Sequence, residues 1–216
     1  MGGRGSSSSG GGAGGGRTGG LNPKDIVSTT SLISARERLQ AEVDQTLTVG
    51  RDVYEQYGVA PNYDIATLKG KGISTMAYYD ANGNLAINKA YFDAKKMNDA
   101  YDRCVKSGFH PSRGDKTGLE AVTSHEMGHM LTDEIGKKLG LGSWQVDRVS
   151  TDIVKQASKK AGYGNQTRKF ISKISGYAKQ DYAEAVAEAF ADVYCNGKKA
   201  RKESSAIVDV LNSYFK

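Results

Sequence analysis

The sequence predicts an α+β fold, in which one small sheet is combined with many helices. Apolar residues recur at three- and four-residue steps over most of the chain, which is the spacing of amphipathic helices. One stretch, ISTMAYYDANGNLAINKAYF (residues 73–92), instead alternates with a period of two around Asn82-Gly83, a strong hairpin signal. We therefore expect a mostly helical domain with a small mixed or antiparallel sheet, two of whose strands cover about 74–80 and 84–88.

The helices are expected in the following order. The first runs from about Pro23 to Tyr57 and is ended by Gly58 and Pro61. Helical spacing returns after the hairpin, over residues 89–107, and a clear helix then runs from Gly118 to about Lys138. Later apolar patterns predict helices over 144–161, 165–175, 180–195 and 203–214.

The first residues of the chain differ from the rest in composition. Residues 1–20, MGGRGSSSSGGGAGGGRTGG, are almost entirely Gly and Ser and cannot bury enough apolar surface to offset the entropy lost on ordering. We predict a disordered tail over residues 1–21 and a single domain over residues 22–216. No apolar run approaches the ~18 residues of a membrane span, and no secretory signal is visible, so we expect a cytoplasmic protein that does not contact membranes.

The chain is basic, with a net charge of +6 and an isoelectric point near 9.1. Its positive residues gather only in small clusters, at Lys159-Lys160, Lys198-Lys199 and Arg201-Lys202. No nucleic-acid recognition motif accompanies them, so a solvated basic surface is favoured over a nucleic-acid partner. The two cysteines, Cys104 and Cys195, match no metal or redox motif and are expected to be unpaired thiols.

The motif HEMGH (residues 125–129) is the most specific signal in the sequence. Positions four residues apart lie about 40° apart on a helix, so His125 and His129 can bind one zinc ion together. Glu126 lies at the edge of that face and can accept a proton from a zinc-bound water without itself binding the metal. A pair of helix-surface histidines is the alternative, and a third ligand is needed to decide between them.

Two regions could supply this third ligand. His110 is the only other histidine, and its position in GFHPS favours a role in capping or packing a turn. The segment DYAEAVAEAFADVY (residues 181–194) instead places Glu184, Glu188 and Asp192 at four-residue steps on one face of an alanine-rich helix. Such a stripe repels itself unless a cation or solvent stabilises it, and a solvated acidic edge explains the spacing as well.

Together, HEMGH and SGYAKQDYAEAVAEAFAD (residues 175–192) resemble the gluzincin type of zinc metallopeptidase, in which a glutamate on a later helix completes HExxH. The second segment is similar to the SxYA…E…AExFAD/E pattern of lethal-factor-like domains, which also occur in phage head-associated proteins. The resemblance covers about residues 70–195. It implies a zincin-like fold and a zinc-dependent hydrolase that cleaves peptide bonds.

Carried onto this sequence, the resemblance implies that His125, His129 and Glu188 bind zinc and that Glu126 is the general base. Asp192 would then orient His125. In the alternative, Glu184 is the third ligand and Glu188 supports the histidine. The resemblance further implies that Tyr177 stabilises the oxyanion.

The expected partner is a peptide or protein substrate, which could pair with the strand LAIN (residues 85–88). The competing hypothesis is a phage structural or assembly protein, located in the virion or the host cytoplasm. Such a protein would keep a zinc-stabilised fold with little or no peptidase activity and would bind other phage head proteins.

Overall fold

The computed structural model describes residues 39–67, 74–80, 82–142 and 145–216. In these ranges the chain forms, in order, α1 (Gln40–Tyr57), β1 (Asn62–Ala66), β2 (Ala77–Tyr79), β3 (Asn84–Asn88), α2 (Ala94–Lys106), α3 (Gly118–Lys138), α4 (Val146–Lys160), α5 (Thr167–Ile171), α6 (Tyr182–Asn196) and α7 (Lys202–Asn212). Short 3-10 helices cover Lys89–Tyr91, Tyr177–Lys179 and Gly197–Lys199. The predicted α+β class is confirmed, whereas the predicted tail over residues 1–21 and the start of the first predicted helix lie outside the described residues.

Helix boundaries agree with the sequence where local signals define them. α3 begins at the predicted residue because Thr117 and Glu120 form a capping box, in which each side chain accepts a backbone N–H of the other residue. The helix predicted over residues 89–107 is divided instead. Asp93 accepts a hydrogen bond from the backbone N–H of Lys96 and so starts α2 after a short 3-10 turn.

The sheet is mixed, with strand order β1-β3-β2. β2 pairs antiparallel with β3, as the Asn82-Gly83 signal predicts, and β1 pairs parallel with β3. β1 was not predicted, although Tyr63 and Ile65 alternate with polar neighbours directly after Pro61. A strand of five residues gives too short a pattern to stand out from a loop.

α3 lies at the centre of the molecule and packs against α1, α2, α4, α6 and β2. Every residue from Leu119 to Thr132 is buried except Glu120, so this helix shows no solvent-facing stripe over most of its length. Its closest neighbour is α6, and the two helices meet at Gly128. A Cβ atom at this position would lie only 2.6 Å from the Cα atom of Ala187. Among the described residues, no helix combines the length and apolarity that crossing a membrane requires.

Candidate metal centre

Two histidine side chains project from the buried middle of α3 towards α6. His125 and His129 are 5% and 3% exposed, and their ring centroids lie 5.1 Å apart. The i, i+4 spacing puts them one above the other on the same face of the helix, as the motif predicts.

Glu184 faces this pair from the first turn of α6. Its Oε2 atom lies 3.1 Å from Nε2 of His125 and 3.4 Å from Nε2 of His129. The side chain of Asp181 caps α6 by accepting the backbone N–H of Glu184, which fixes where the helix starts. The contact between Gly128 and Ala187 brings this turn of α6 within reach of the histidines.

The three groups have the geometry of a metal site. One ligand atom from each of His125, His129 and Glu184 lies within 4.8 Å of the others, and all three residues are buried. Bonds of about 2.0–2.1 Å in a tetrahedral arrangement separate ligand atoms by roughly 3.3 Å, close to the two distances measured here. This group can therefore hold a metal ion.

The charges around His125 also favour a cation. Burial opposes protonation, yet hydrogen bonds with Glu184 and Glu188 raise the pKa of His125 well above its usual range. The pKa of Glu184 is likewise lowered, against the effect of burial, by its hydrogen bonds with His125 and His129. Two carboxylates thus surround one buried imidazole, an arrangement that a bound positive charge stabilises.

Glu188 lies on the opposite side of His125 from Glu184. Its Oε1 atom accepts a hydrogen bond from Nδ1 of His125 at 2.8 Å, and its Oε2 atom accepts one from the Ser175 hydroxyl at 2.6 Å. Burial raises the pKa of the Glu188 carboxyl, but electrostatic attraction and hydrogen bonds from His110 and His125 outweigh burial and lower the pKa to about 2. Glu188 is therefore an ionised, fully buried acceptor that orients His125.

These positions differ from the principal sequence prediction at two residues. The described structure groups Glu184 with the histidines, and Glu188 has the orienting position that was predicted for Asp192. Asp192 instead accepts hydrogen bonds from the Ser204 hydroxyl and the backbone N–H of Arg201, at 2.7 and 3.0 Å. The cause is the helix crossing at Gly128, which sets His125 level with the first two acids of α6 and leaves the third one turn away.

His110 belongs to the site, although the sequence suggested only a turn residue. Its Nδ1 atom donates to Oε1 of Glu188 at 2.8 Å, and the side chain is buried. The segment that carries it is tied to the start of the Tyr177 turn, because the backbone N–H groups of Gly176 and Tyr177 donate to the carbonyls of Gly108 and Phe109. The sequence gives no signal for this role, because the burial of His110 and its aromatic neighbours depend on the fold.

Glu126 is 2% exposed and lies beside the metal-binding group. Burial raises the pKa of its carboxyl, and the nearby charges of His125 and His129 partly offset this rise. The backbone N–H of Tyr79 on β2 also faces the carboxylate. The motif's glutamate thus lies between the two histidines and the sheet.

Tyr177 packs against the same centre. Its ring stacks on the ring of His125, with centroids 5.7 Å apart and planes at 23°. Burial, followed by the charges of Glu184 and Glu126, raises the pKa of Tyr177, so that its hydroxyl stays protonated and can donate a hydrogen bond.

The strand beside the site is β2, and the prediction that LAIN (residues 85–88) pairs with a substrate is wrong. LAIN forms β3, which already has β1 on one side and β2 on the other. The backbone N–H of Asp80 donates to the carbonyl of Asn84, and the backbone N–H of Asn88 donates to the carbonyl of Met76. The backbone groups of the even-numbered residues of the β2 segment therefore form the hydrogen bonds to β3. The backbone N–H and C=O groups of Ala77 and Tyr79 consequently point away from β3, towards α3.

Comparison of the chain with protein-family models, with curated proteins and with solved structures finds no match. A functional assignment therefore depends on the geometry of the site.

Proposed function

We propose that the protein is a zinc-dependent peptidase with His125, His129 and Glu184 as its metal ligands. The observation that carries this proposal is the buried group of three ligand atoms, with Glu126 next to it on the same helix. The likeness of its two segments to gluzincins supports the same conclusion, with the third ligand one turn earlier than first expected.

The composition of the ligand set favours zinc over other metals. Two imidazoles and one carboxylate suit zinc, whereas calcium and magnesium prefer sites made of oxygen atoms. Three protein ligands also leave a fourth position open, which distinguishes catalytic zinc sites from structural ones. When bound, zinc would polarise a carbonyl group and lower the pKa of a water molecule towards about 7.

Glu126 would act as the general base. It follows His125 directly and faces the metal-binding group, yet it is not one of its three members. From this position its carboxylate can take a proton from the attacking water and deliver it to the nitrogen of the leaving amine.

Tyr177 and β2 would position the substrate. The protonated hydroxyl of Tyr177 can donate a hydrogen bond to the oxyanion that develops on the attacked carbonyl. The backbone groups of Ala77, which do not pair with β3, would offer an extended peptide a short strand edge beside Glu126. β2 thereby takes the role that the sequence had suggested for the neighbouring strand.

The test compares the wild-type protein with Glu126→Gln, a change that keeps the shape of the side chain and removes its basicity. Zinc content is measured by elemental analysis, and cleavage of an unfolded casein is followed by mass spectrometry. We expect about one zinc per chain in both proteins and a loss of cleavage of at least about 100-fold in the variant. Equal turnover by both zinc-loaded proteins would contradict the proposal.

The second candidate is a protein whose fold zinc stabilises without catalysis, such as a phage assembly protein. One observation favours it: the metal-binding group joins α3 to α6 at the centre of the core. Wild-type protein that binds zinc, unfolds on chelation and cleaves no peptide would support this candidate instead.

A further inference from the structure

The carboxylate of Glu188 is shared by two histidines. Nδ1 of His125 and Nδ1 of His110 each lie 2.8 Å from the same oxygen, Oε1. The other oxygen accepts the hydroxyl of Ser175 at 2.6 Å. Glu188 is 1% exposed, so these three donors replace the water that would otherwise solvate its charge.

This arrangement fixes the orientation of the His125 ring. Because an ionised carboxylate only accepts hydrogen bonds, Nδ1 of His125 donates to Glu188, and this bond turns Nε2 towards Glu184. His129 lacks such a support, since its Nδ1 atom has no hydrogen-bond partner among the described residues. The orientation of the centre therefore depends on Glu188, and on whatever holds Glu188 in place.

His110 is itself held by rigid neighbours. Its ring stacks on that of Tyr101, with centroids 5.2 Å apart and planes at 5°, and Tyr177 packs against it edge-on at 5.4 Å. The ring centroids of His110 and His125 are 6.2 Å apart, and His110 is not a member of the metal-binding group. The hydrogen-bonded link between His110 and His125 is the carboxylate of Glu188.

We propose that His110 is a positioning residue, which fixes the carboxylate of Glu188 and, through it, the orientation of His125. The inference rests on the proposed zinc site and extends it by one residue, which the HEMGH motif does not contain. Zinc affinity and the geometry of the bound metal are the properties that His110 controls.

Two variants separate the hydrogen bond from the packing of the ring. His110→Asn keeps an N–H group near the position of Nδ1 and loses the ring, whereas His110→Phe keeps a flat ring and loses the donor. We expect the phenylalanine variant to bind zinc about 10- to 100-fold more weakly in competition with a chelator, and the asparagine variant to stay within a few-fold of the wild type. The absorption spectrum of bound cobalt should change in the same order.

The thermal stability of the metal-free proteins reports packing separately, and there the asparagine variant should suffer more. Equal zinc affinity in the phenylalanine variant and the wild type would overturn the proposal. So would an asparagine variant that loses as much affinity as the phenylalanine variant.

A double-mutant cycle tests the route through Glu188. In a Glu188→Gln background, His110→Phe should cause little further loss of zinc affinity, because its acceptor has already been changed. Full additivity of the two losses would show that His110 acts independently and would overturn the proposal. The cycle needs no cleavage assay, so a wild type that binds zinc without cleaving peptides refutes the peptidase alone, whereas a wild type without zinc refutes both proposals.

The fold brings the three basic clusters of the sequence to one place. An open cavity of about 450 Å³ lies where the end of α4, the 3-10 helix after α6 and the start of α7 meet. Lysines from each cluster line it, together with small residues and one acid: Lys160, Lys198, Lys202, Ala161, Ala200, Ser205, Ala206 and Asp209. The sequence showed these lysines only as separate pairs.

The positive charge in this cavity is poorly compensated. Lys160 and Lys198 are exposed and form no ion pair within the described part of the chain. The Nζ atom of Lys202 lies 4.0 Å from Glu203, whose carboxylate already accepts the Tyr163 hydroxyl at 2.6 Å. Lysines that converge without partners repel one another, and a bound anion removes that repulsion.

We infer that this cavity binds a phosphate-bearing anion. Lysine is a common phosphate ligand, and the volume lies in the range of small-molecule pockets, about 300–1,000 Å³. The phosphate could belong to a free small molecule or to the backbone of a nucleic-acid strand.

Titration calorimetry with pyrophosphate and with a short single-stranded oligonucleotide distinguishes these sources. The variant changes Lys160, Lys198 and Lys202 to Gln. A matched control changes three exposed lysines elsewhere, Lys96, Lys106 and Lys169. We expect the cavity variant, but not the control, to lose at least about 10-fold in affinity. The loss should be seen with pyrophosphate if the ligand is a small phosphate compound. It should be seen only with the oligonucleotide if the ligand is a nucleic-acid strand. Equal losses in both variants, or no binding of either probe to the wild type, would overturn the inference.

Discussion

The two ends of α6 carry buried acidic residues that contact different parts of the protein. Glu184, Glu188 and Asp192 are acidic, stand four residues apart on one face and are each at most 3% exposed. The first two contact histidines of α3, whereas Asp192 binds the start of α7 through Ser204 and Arg201. One face of α6 thus contributes both to a candidate metal centre and to the contact between α6 and α7.

The difference lies in the partner helix, because spacing along α6 makes the three acids equivalent. α3 and α6 lie in close contact where Gly128 meets Ala187, between the first two acids and before the third. The position at which the two helices cross therefore decides which carboxylates can bind a metal or orient its ligands. Substitutions at the helix crossing, along α6 and at the cap of α3 test this division.

Gly128→Ala should have the largest effect, because it acts on the crossing itself. The added Cβ atom would lie 2.6 Å from the backbone of Ala187, which cannot move without shifting α6. We expect a loss of about 1–3 kcal/mol in the free energy of unfolding, measured by urea denaturation. Zinc affinity should also fall at least about 10-fold, because Glu184 would move away from the histidines.

Gly50→Ala is the matched control for this change. It also adds a methyl group to a buried helical glycine, but on α1, where the group would meet the hydroxyl of Tyr63. It should lower stability and leave zinc affinity unchanged. If both variants lost zinc affinity equally, the effect would be a general loss of packing and the crossing would have no special role.

Glu188→Gln should have the next largest effect on the centre. The amide keeps the size of the side chain but cannot accept at both of its ends, so the hydrogen bond from Nδ1 of His125 is weakened. Competition with a chelator should show about 10- to 100-fold weaker zinc binding, typical of a residue that orients a ligand. Complete loss of zinc would instead indicate that Glu188 is itself a ligand.

Asp192→Asn, at the other end of the acidic stripe, should lower stability without changing zinc affinity. Replacing this buried carboxylate weakens its contacts with Ser204 and Arg201, for an expected loss of about 1–3 kcal/mol in urea denaturation. Zinc affinity should stay at the wild-type value. A reduced affinity without reduced stability would return Asp192 to the orienting role that the sequence suggested.

Thr117→Ala should have the smallest effect. It removes the hydroxyl that caps α3 and accepts the backbone N–H of Glu120. We expect a loss of about 1 kcal/mol in the free energy of unfolding and unchanged zinc affinity, because the cap lies two turns before His125. A change in zinc affinity here would mean that the centre responds to any disturbance of α3.

The features that the sequence predicted well are encoded locally. The Asn82-Gly83 turn, the helix that starts at Gly118 and the i, i+4 histidines each depend on residues within a few positions of one another. β1 was missed because five residues of alternation carry little signal, and its pairing with β3 involves residues 22 positions away.

The rest of the candidate site depends on contacts distant in sequence. His110 reaches Glu188 across 78 residues, and nothing in GFHPS shows that the ring will lie beside Tyr101. The choice between Glu184 and Glu188 was likewise left open, because only the close approach of Gly128 to Ala187 selects one turn of α6.

Metal content tests the division of α6 most directly. Elemental analysis should be made on the wild type, Glu184→Ala and Asp192→Ala, purified in parallel and equilibrated with zinc. We predict about one zinc per chain in the wild type and in Asp192→Ala, and none in Glu184→Ala. Full zinc content in Glu184→Ala, or its absence from the wild type, would contradict the account.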